Sequence, residues 1–189
     1  MVAEAKGLTM TLYYRLNVQQ DDDPIAIDIV SHDDYSFVTG MRFASPFPEP
    51  VVFEIDPEID GTRVPTLFLP EPVFRADLLE ALRRAGVTNI DDYAALIVTE
   101  RDSTHEAVTG YRAVNIIGLV DCADRERSEF DEIEGMMMFD KLVIDASRAA
   151  GCDFFRVAEA EEYIVVSSPL AAKLDLGPFP DVVLEPIET

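Results

Sequence analysis

Several features that would identify a class of protein are missing from this sequence. No apolar stretch approaches the ~20 residues that a membrane-spanning helix needs. The first ten residues, MVAEAKGLTM, lack the basic segment followed by an apolar segment that marks a signal peptide. These two absences predict a cytoplasmic protein that makes no contact with a membrane.

Cysteine and histidine, which supply many metal ligands and catalytic groups, are scarce, with two of each in the chain. Cys122 and Cys152 lie in or beside apolar runs, which favours two buried thiols in a reducing cytosol over a disulfide, although the sequence leaves both open. His32 and His105 stand in polar segments, and neither has a second histidine at ligand spacing. We interpret both histidines as surface residues.

Motifs of enzymatic chemistry are also missing. The sequence contains no GxSxG, HExxH, CxxC, P-loop or GxGxxG. Asp121 and Asp124 stand close to Cys122, and their negative charge would raise the pKa of its thiol and oppose a nucleophilic role. The sequence therefore predicts a protein that is not an enzyme and needs no cofactor.

Carboxylates, by contrast, are frequent enough to raise a metal hypothesis in two places. One is the run Asp21, Asp22 and Asp23, and the other is EIDPEID (residues 54–60), whose acids alternate along the chain. Neither supplies both the glycine and the terminal glutamate of an EF-hand loop. We interpret both as solvated acidic edges and expect no metal. A carboxylate-dependent, metal-binding enzyme is the alternative function, and a scaffolding subunit is a third.

The net charge is the strongest signal in the composition. Fifteen basic and 37 acidic residues give a formal net charge of −22. Residues 1–60 carry 12 acidic and 3 basic side chains, residues 61–120 carry 8 and 6, and residues 121–189 carry 17 and 6. Phosphate contacts need lysine and arginine, so this balance argues against binding to bare nucleic acid or to an anionic membrane. It favours a basic partner, or serves solubility alone.

The hydrophobic pattern predicts an α+β protein with a mostly antiparallel sheet and a few short helices packed on it. With 189 residues and 48% hydrophobic content, the chain can bury one good core, so we expect a single domain over residues 1–189, with residues 1–9 as a loose lead-in. Short runs rich in β-branched residues predict strands. These runs cover residues 10–18, 25–31, 51–56, 94–99, 113–120, 141–144, 154–157 and 163–166.

Two segments predict helices. VFRADLLEALRRAG (residues 73–86) carries an apolar stripe, ends on two arginines and is closed by Gly86. A short helix is expected over residues 169–175, with Ser167 or Ser168 as its cap. AEAEE (residues 158–162) predicts a hairpin. The expected core contains Leu78, Leu82, Val114, Ile116, Leu119, Leu142, Ile144, Phe155, Ile164 and Val166.

The order of these segments resembles a bacterial family. Its elements are a helix ending in AG, the run YRAVNIIGLVD, the run FDKLVID, the turn FRVAE and the strand IVVS, all between residue 50 and the C-terminus. In this order they are similar to the immunity proteins encoded beside polymorphic toxins, formerly a domain of unknown function and common in myxobacteria and proteobacteria. The shared pattern consists mostly of core and turn residues, so it assigns no catalytic or binding position.

The resemblance implies a cytoplasmic protein that binds and neutralises a cognate toxin. Many such toxins are nucleases with basic clefts, to which an acidic inhibitor would be steered rapidly. The acids of the N-terminal third lie in predicted loops and mostly outside the family's pattern, so we expect them to bind this partner. They are Asp21, Asp22, Asp23, Asp33, Asp34, Glu58 and Asp60. The equally acidic C-terminal third is the competing location.

Overall fold

A computed structural model describes residues 11–19, 27–31, 36–45, 47–55, 64–98, 107–133 and 136–189. The expected lead-in, residues 1–9, lies outside these ranges, as do His32 and His105. The described structure is mostly β-sheet with two short helices, which confirms the α+β class in outline. In chain order its elements are β1 (Tyr13–Val18), β2 (Ile27–Ile29), β3 (Val51–Ile55), β4 (Leu67–Phe68), β5 (Val73–Arg75), α1 (Ala76–Ala85), β6 (Ile90–Val98), β7 (Val108–Ile116), β8 (Leu119–Val120), β9 (Glu129–Ile133), β10 (Met136–Lys141), β11 (Phe154–Val157), β12 (Ala160–Ser167), α2 (Ser168–Ala171) and β13 (Val182–Ile187).

The strands form two larger sheets and one separate hairpin. Sheet A has the order β13-β1-β12-β11-β8, sheet B has the order β2-β3-β6-β7-β5-β4, and β9 pairs with β10. Most pairs are antiparallel as expected, but both sheets are mixed, because β3 runs parallel to β6 and β8 runs parallel to β11. A parallel pair needs a long crossover connection. Between β3 and β6 that connection contains β4, β5 and α1.

Each larger sheet has a hydrophobic core on both of its faces. The central core receives side chains from both sheets and from α1. A second core lies against sheet B and includes Phe37 and Phe47, and a third lies against sheet A. The alternation of side chains along a strand produces this layering. In β11, for example, Phe154 contributes to the central core and Phe155 to the third.

The helix α1 forms as the sequence predicts, but it begins later. Val73 and Phe74 belong to β5, which pairs with β7, and their side chains are buried in the second and central cores respectively. Because each face of this short segment is covered by a core, strand pairing replaces the first turn of the predicted helix. Leu78 and Leu82 are fully buried in the central core. Gly86, with a φ of 114°, ends the helix, and its N–H donates to the carbonyl oxygen of Arg83.

The apolar run over residues 113–120 passes from one sheet to the other. The sequence predicts one strand there, but the structure divides the run into the end of β7 in sheet B and β8 in sheet A. Between them Gly118 has a φ of 123°, which L side chains rarely adopt. The prediction that Leu119 belongs to the core is wrong, because β8 is the edge strand of sheet A and this side chain is 36% exposed.

Asn89 links the two sheets by hydrogen bonds beside this crossing. Its Nδ2 donates to the carbonyl oxygen of Ile117 at 2.9 Å and to that of Phe154 at 2.8 Å. Its own carbonyl oxygen accepts from the N–H of Ile117 at 2.8 Å. Ile117 follows β7 of sheet B and Phe154 begins β11 of sheet A, so a single side chain satisfies polar groups of both layers.

Other local expectations hold with shorter elements. β11 and β12 form the predicted hairpin. The hydroxyl of Ser167 caps α2 by accepting from the N–H of Leu170, although the helix ends at Ala171. The predicted strand over residues 141–144 is only partly regular, since β10 ends at its first residue and its last two residues make isolated bridges. Both cysteines carry free thiols. Neither described helix has the length and apolar character that crossing a membrane requires.

Leu82→Ala should lower the free energy of unfolding by about 2–5 kcal/mol, because it leaves a cavity in the core that both sheets share. Leu119→Ala is the matched control: the same atoms are removed at a half-exposed edge, so the loss should be clearly smaller. Urea unfolding followed by circular dichroism measures both. Equal losses would contradict the orientation of α1.

Candidate protein-binding surface

The acids expected to bind the partner all lie outside the described part of the chain. They are Asp21, Asp22, Asp23, Asp33, Asp34, Glu58 and Asp60. Of the alternating acids in residues 54–60, only Glu54 is described, as part of β3. That the N-terminal acids bind the partner stays a prediction. Within the described part of the chain, the candidate surface lies in the C-terminal third.

There, β9 and β10 form a two-stranded antiparallel sheet, which we call the acidic hairpin. Ile133 pairs with Met136 at one end and Glu129 with Lys141 at the other, with an irregularity after Phe139. On the inner face, Phe130 of β9 lies opposite Phe139 of β10, and Glu132 lies opposite Met137. The mixed charges of DRERSEFDE (residues 124–132) predict an exposed, salt-bridged turn. That holds for its first half, where Arg127 and Asp124 lie 3.8 Å apart, whereas the second half is β9.

The inner face of the acidic hairpin packs against sheet A. The rings of Phe130 and Phe139 contact each other across the two strands, with centroids 5.5 Å apart and planes tilted by 57°, and Phe139 meets Tyr163 of β12 edge-on at 6.2 Å. The hydroxyl of Tyr163 donates to the carbonyl oxygen of Phe139. Met137, on the same face of the hairpin as Phe139, is buried. These contacts fix the orientation of the hairpin on the body of the protein.

The outer face carries two exposed apolar side chains beside two carboxylates. By alternation and register, Glu129, Asp131, Ile133 and Met138 share this face, and Lys141 lies opposite Glu129. Ile133 is 56% exposed and Met138 is 51% exposed. An apolar centre with a charged rim is the usual anatomy of a protein-protein interface. The sequence carried little signal for this surface, because the two apolar residues of EFDEI, Phe130 and Ile133, are three positions apart and do not alternate with polar ones.

A second polar region is an open concavity of about 480 Å³. Its lining includes Asp121, Asp124, Asp145 and Arg148, and the guanidinium of Arg148 lies 3.4 Å from a carboxylate oxygen of both Asp121 and Asp145. Among the described residues, no three His, Cys, Asp or Glu side chains are placed to hold a metal ion together. The concavity therefore offers mixed charge without a ligand set.

Glu159 is the carboxylate whose environment comes nearest to that of a catalytic acid. Burial, followed by a hydrogen bond with Asp121, raises its pKa. Its Oε1 accepts from the N–H of Ala123 at 3.0 Å, and its Oε2 accepts from the N–H of Cys122 at 3.4 Å. Because both oxygens are used by the backbone, the arrangement fixes segment 122–123 onto the β11–β12 turn.

The thiol of Cys122 is unsuited to nucleophilic chemistry. Burial is the main cause that raises its pKa to about 12, and the charges of Glu159 and Asp121 add to the effect. The thiol is therefore protonated at neutral pH, and only the thiolate is a good nucleophile. The sequence-based expectation of a raised pKa is confirmed, with burial as a larger cause than the neighbouring acids.

Arg156 is a fully buried charge that the sequence did not mark as unusual. Its Nη1 donates to the carbonyl oxygen of Glu161, while Nε and Nη2 have no hydrogen-bond partner among the described residues. Burial lowers its pKa to about 10, and Glu71 is the main opposing charge. Burial in turn raises the pKa of Glu71. Since Arg156 has no exposed surface, it is unavailable to a protein partner.

A cleft of about 350 Å³ lies where the two sheets meet. Asn89, Gly118 and Phe154 line it, and Asp153 and Lys173 are the charged residues in its lining. Its volume suits a small molecule. Asp153 accepts a hydrogen bond from the hydroxyl of Ser167, but this hydroxyl is buried, lies outside the lining and caps α2, so it is not placed to attack a molecule in the cleft.

No protein-family model matches the sequence, and no curated protein matches it. The resemblance to immunity proteins therefore stays a prediction. Function has to be inferred from the surface and the charge of this chain.

Glu159→Gln should raise the melting temperature at about pH 8 and change it less at about pH 5. A carboxyl whose pKa is raised by folding contributes stability at low pH, and that contribution is lost as the pH rises through the folded-state pKa. The uncharged amide can still accept from Ala123 and can donate to Asp121, although it gives up the longer hydrogen bond from Cys122, so it avoids the loss that accompanies ionisation.

Thermal unfolding of wild type and variant across this pH range measures the effect. Glu126→Gln, at an exposed residue, removes the same charge and is the control. A difference in melting temperature between wild type and Glu159→Gln that does not change with pH, or that matches the control, would contradict the raised pKa of Glu159.

Proposed function

We propose that this protein binds and neutralises a basic protein toxin in the cytoplasm, as an immunity protein of a bacterial polymorphic toxin system. The acidic hairpin carries this proposal, since it combines exposed apolar side chains with uncompensated carboxylates on a chain of net charge −22. The ordered resemblance of residues 50–189 to that family is independent support.

The physical basis of the proposed inhibition is electrostatic. A strongly acidic protein is attracted to a basic surface over roughly the Debye length and associates with it faster than a neutral protein would. If the toxin is a nuclease, its substrate cleft is lined with cations that bind phosphate. Carboxylates placed in such a cleft would substitute for phosphates and exclude the nucleic acid.

A carboxylate-dependent enzyme is the second candidate, and Glu159 is the observation that favours it. Its raised pKa and its hydrogen bond with Asp121 are features of a catalytic acid. Against this reading, both oxygens of Glu159 accept from backbone N–H groups, and the nearby thiol of Cys122 is protonated at neutral pH.

Co-expression with the product of the neighbouring gene tests the proposed function. The expected outcome is that the neighbour alone arrests growth, that this protein restores it, and that the two copurify as a complex. A catalytically inactive version of the neighbour should still form the complex, because inhibition is by binding. Growth arrest that this protein does not relieve would contradict the proposal.

The association rate should fall markedly as salt is raised, since the Debye length contracts from ~30 Å at 0.01 M to ~8 Å at 0.15 M. Replacing Asp21, Asp22 and Asp23 together with asparagine should lower the on-rate more than it raises the off-rate, as rim charges do. Surface-plasmon kinetics with the neighbour's toxin domain, over a salt series, measure both. An on-rate that is independent of salt, with the triple variant equal to wild type, would exclude electrostatic steering.

A further inference from the structure

We infer that the outer face of the acidic hairpin is the surface onto which the basic partner docks. This inference rests on the proposed function and assigns the contact to the C-terminal third of the chain. The expected contribution of the N-terminal acids then becomes one of longer-range steering.

The apolar centre of this face consists of Ile133 and Met138. Ile133 pairs with Met136 and Asp131 pairs with Met138, so Ile133 and Met138 are diagonal neighbours across the two strands. Diagonal neighbours on one face are close enough for long side chains to touch. The other large apolar side chains with high exposure in the described ranges, Leu12, Met41 and Leu119, lie on different segments.

The charges around this centre are free to act on a partner. Glu129 and Asp131 are exposed and make no ion pair with any described residue. The basic residue of the hairpin, Lys141, is engaged by Glu188 at 2.9 Å. The field at the outer face is therefore negative, and a partner with lysine or arginine around an apolar patch would complement it.

The acids of sheet B provide a contrast. Asp91 is paired with Arg42, and Asp92 is paired with both Arg83 and Arg112. These carboxylates are compensated within the molecule, so they present little net charge to a partner. These two acids are also partly buried, whereas the hairpin combines exposed, unpaired acids with exposed apolar side chains.

The hairpin is also held in place before any partner arrives. Phe139 and Met137 on its inner face are packed against the body of the protein, with Tyr163 as the contact on sheet A. A surface that is already ordered loses less conformational entropy on binding, which favours affinity.

A second copy of this chain is a poor occupant of the same face. β9 has no strand partner other than β10 in the described structure, and such an open edge invites pairing with another strand. Two copies would bring Glu129 and Asp131 close to the same acids of the other molecule, at a net charge of −22 each. Like charges repel such self-association, whereas a basic partner meets no such barrier.

The apolar arm of the test is the double variant Ile133→Ala with Met138→Ala. Its affinity for the neighbouring gene's toxin domain should fall roughly tenfold or more, mainly through a faster off-rate. The matched control is Leu12→Ala with Met41→Ala, which also truncates two apolar side chains, 47% and 67% exposed. The control should bind like wild type.

The charged arm is the double variant Glu129→Gln with Asp131→Asn. It should slow association at low salt and converge with wild type at high salt, because these acids act through their charge. Glu80→Gln with Glu126→Gln removes the same net charge from other exposed positions and should slow association less.

Hydrogen exchange of the wild-type complex gives a readout that does not depend on a variant's folding, and the amides of β9 should gain protection on binding. Equal affinities for the hairpin and control variants, without protection of β9, would overturn the inference and leave the proposed function intact. Failure of wild type to bind the toxin domain would overturn both. A dimer of the free protein that the hairpin variants dissociate, seen by sedimentation, would make a second copy the occupant and overturn the inference.

Discussion

The burial of one face of α1 in a core shared by both sheets is the constraint on which the rest of the structure depends. Leu78 and Leu82 occupy the central core, and sheets A and B each present an apolar face to it. Because the chain contributes strands to both sheets, it must cross between them, and its return from sheet B to sheet A lies at Gly118. A backbone that leaves a sheet exposes polar groups, and Asn89 satisfies those of Ile117 and Phe154 at this point.

The distribution of charge follows from the scarcity of basic residues. Many of the basic side chains form ion pairs with acids of the same molecule, as Arg83 and Arg112 do with Asp92. Arg156 is buried and contributes nothing to the surface. The exposed acids of the hairpin have no such partner among the described residues, so their charge is available to a binding partner. A net charge of −22 therefore does not describe a uniform surface, and its effect on a partner is concentrated where carboxylates are uncompensated.

Two partly buried glutamates illustrate why a raised pKa is weak evidence for catalysis. Glu71 and Glu159 both have a raised pKa because of burial. Glu159 accepts hydrogen bonds from segment 122–123, and the negative charge of Glu71 stabilises the buried cation of Arg156. Groups that join elements of a fold experience the same desolvation as groups in an active site. A catalytic carboxyl must point toward the place where a substrate binds, whereas the oxygens of Glu159 point toward backbone N–H groups.

The sequence by itself determined the features that depend on neighbours along the chain. These include the apolar stripe of α1 and its end at Gly86, the cap at Ser167, the β11–β12 hairpin and most of the expected core, because periodicity and turn chemistry are local. Tertiary structure alone decided that Val73 and Phe74 pair with β7 and that residues 113–120 divide between two sheets. It also decided that Ile133 and Met138 are exposed and that Arg156 is buried. Those outcomes depend on which strands pair and which faces are covered, and such long-range choices leave no periodic signal in the segment itself.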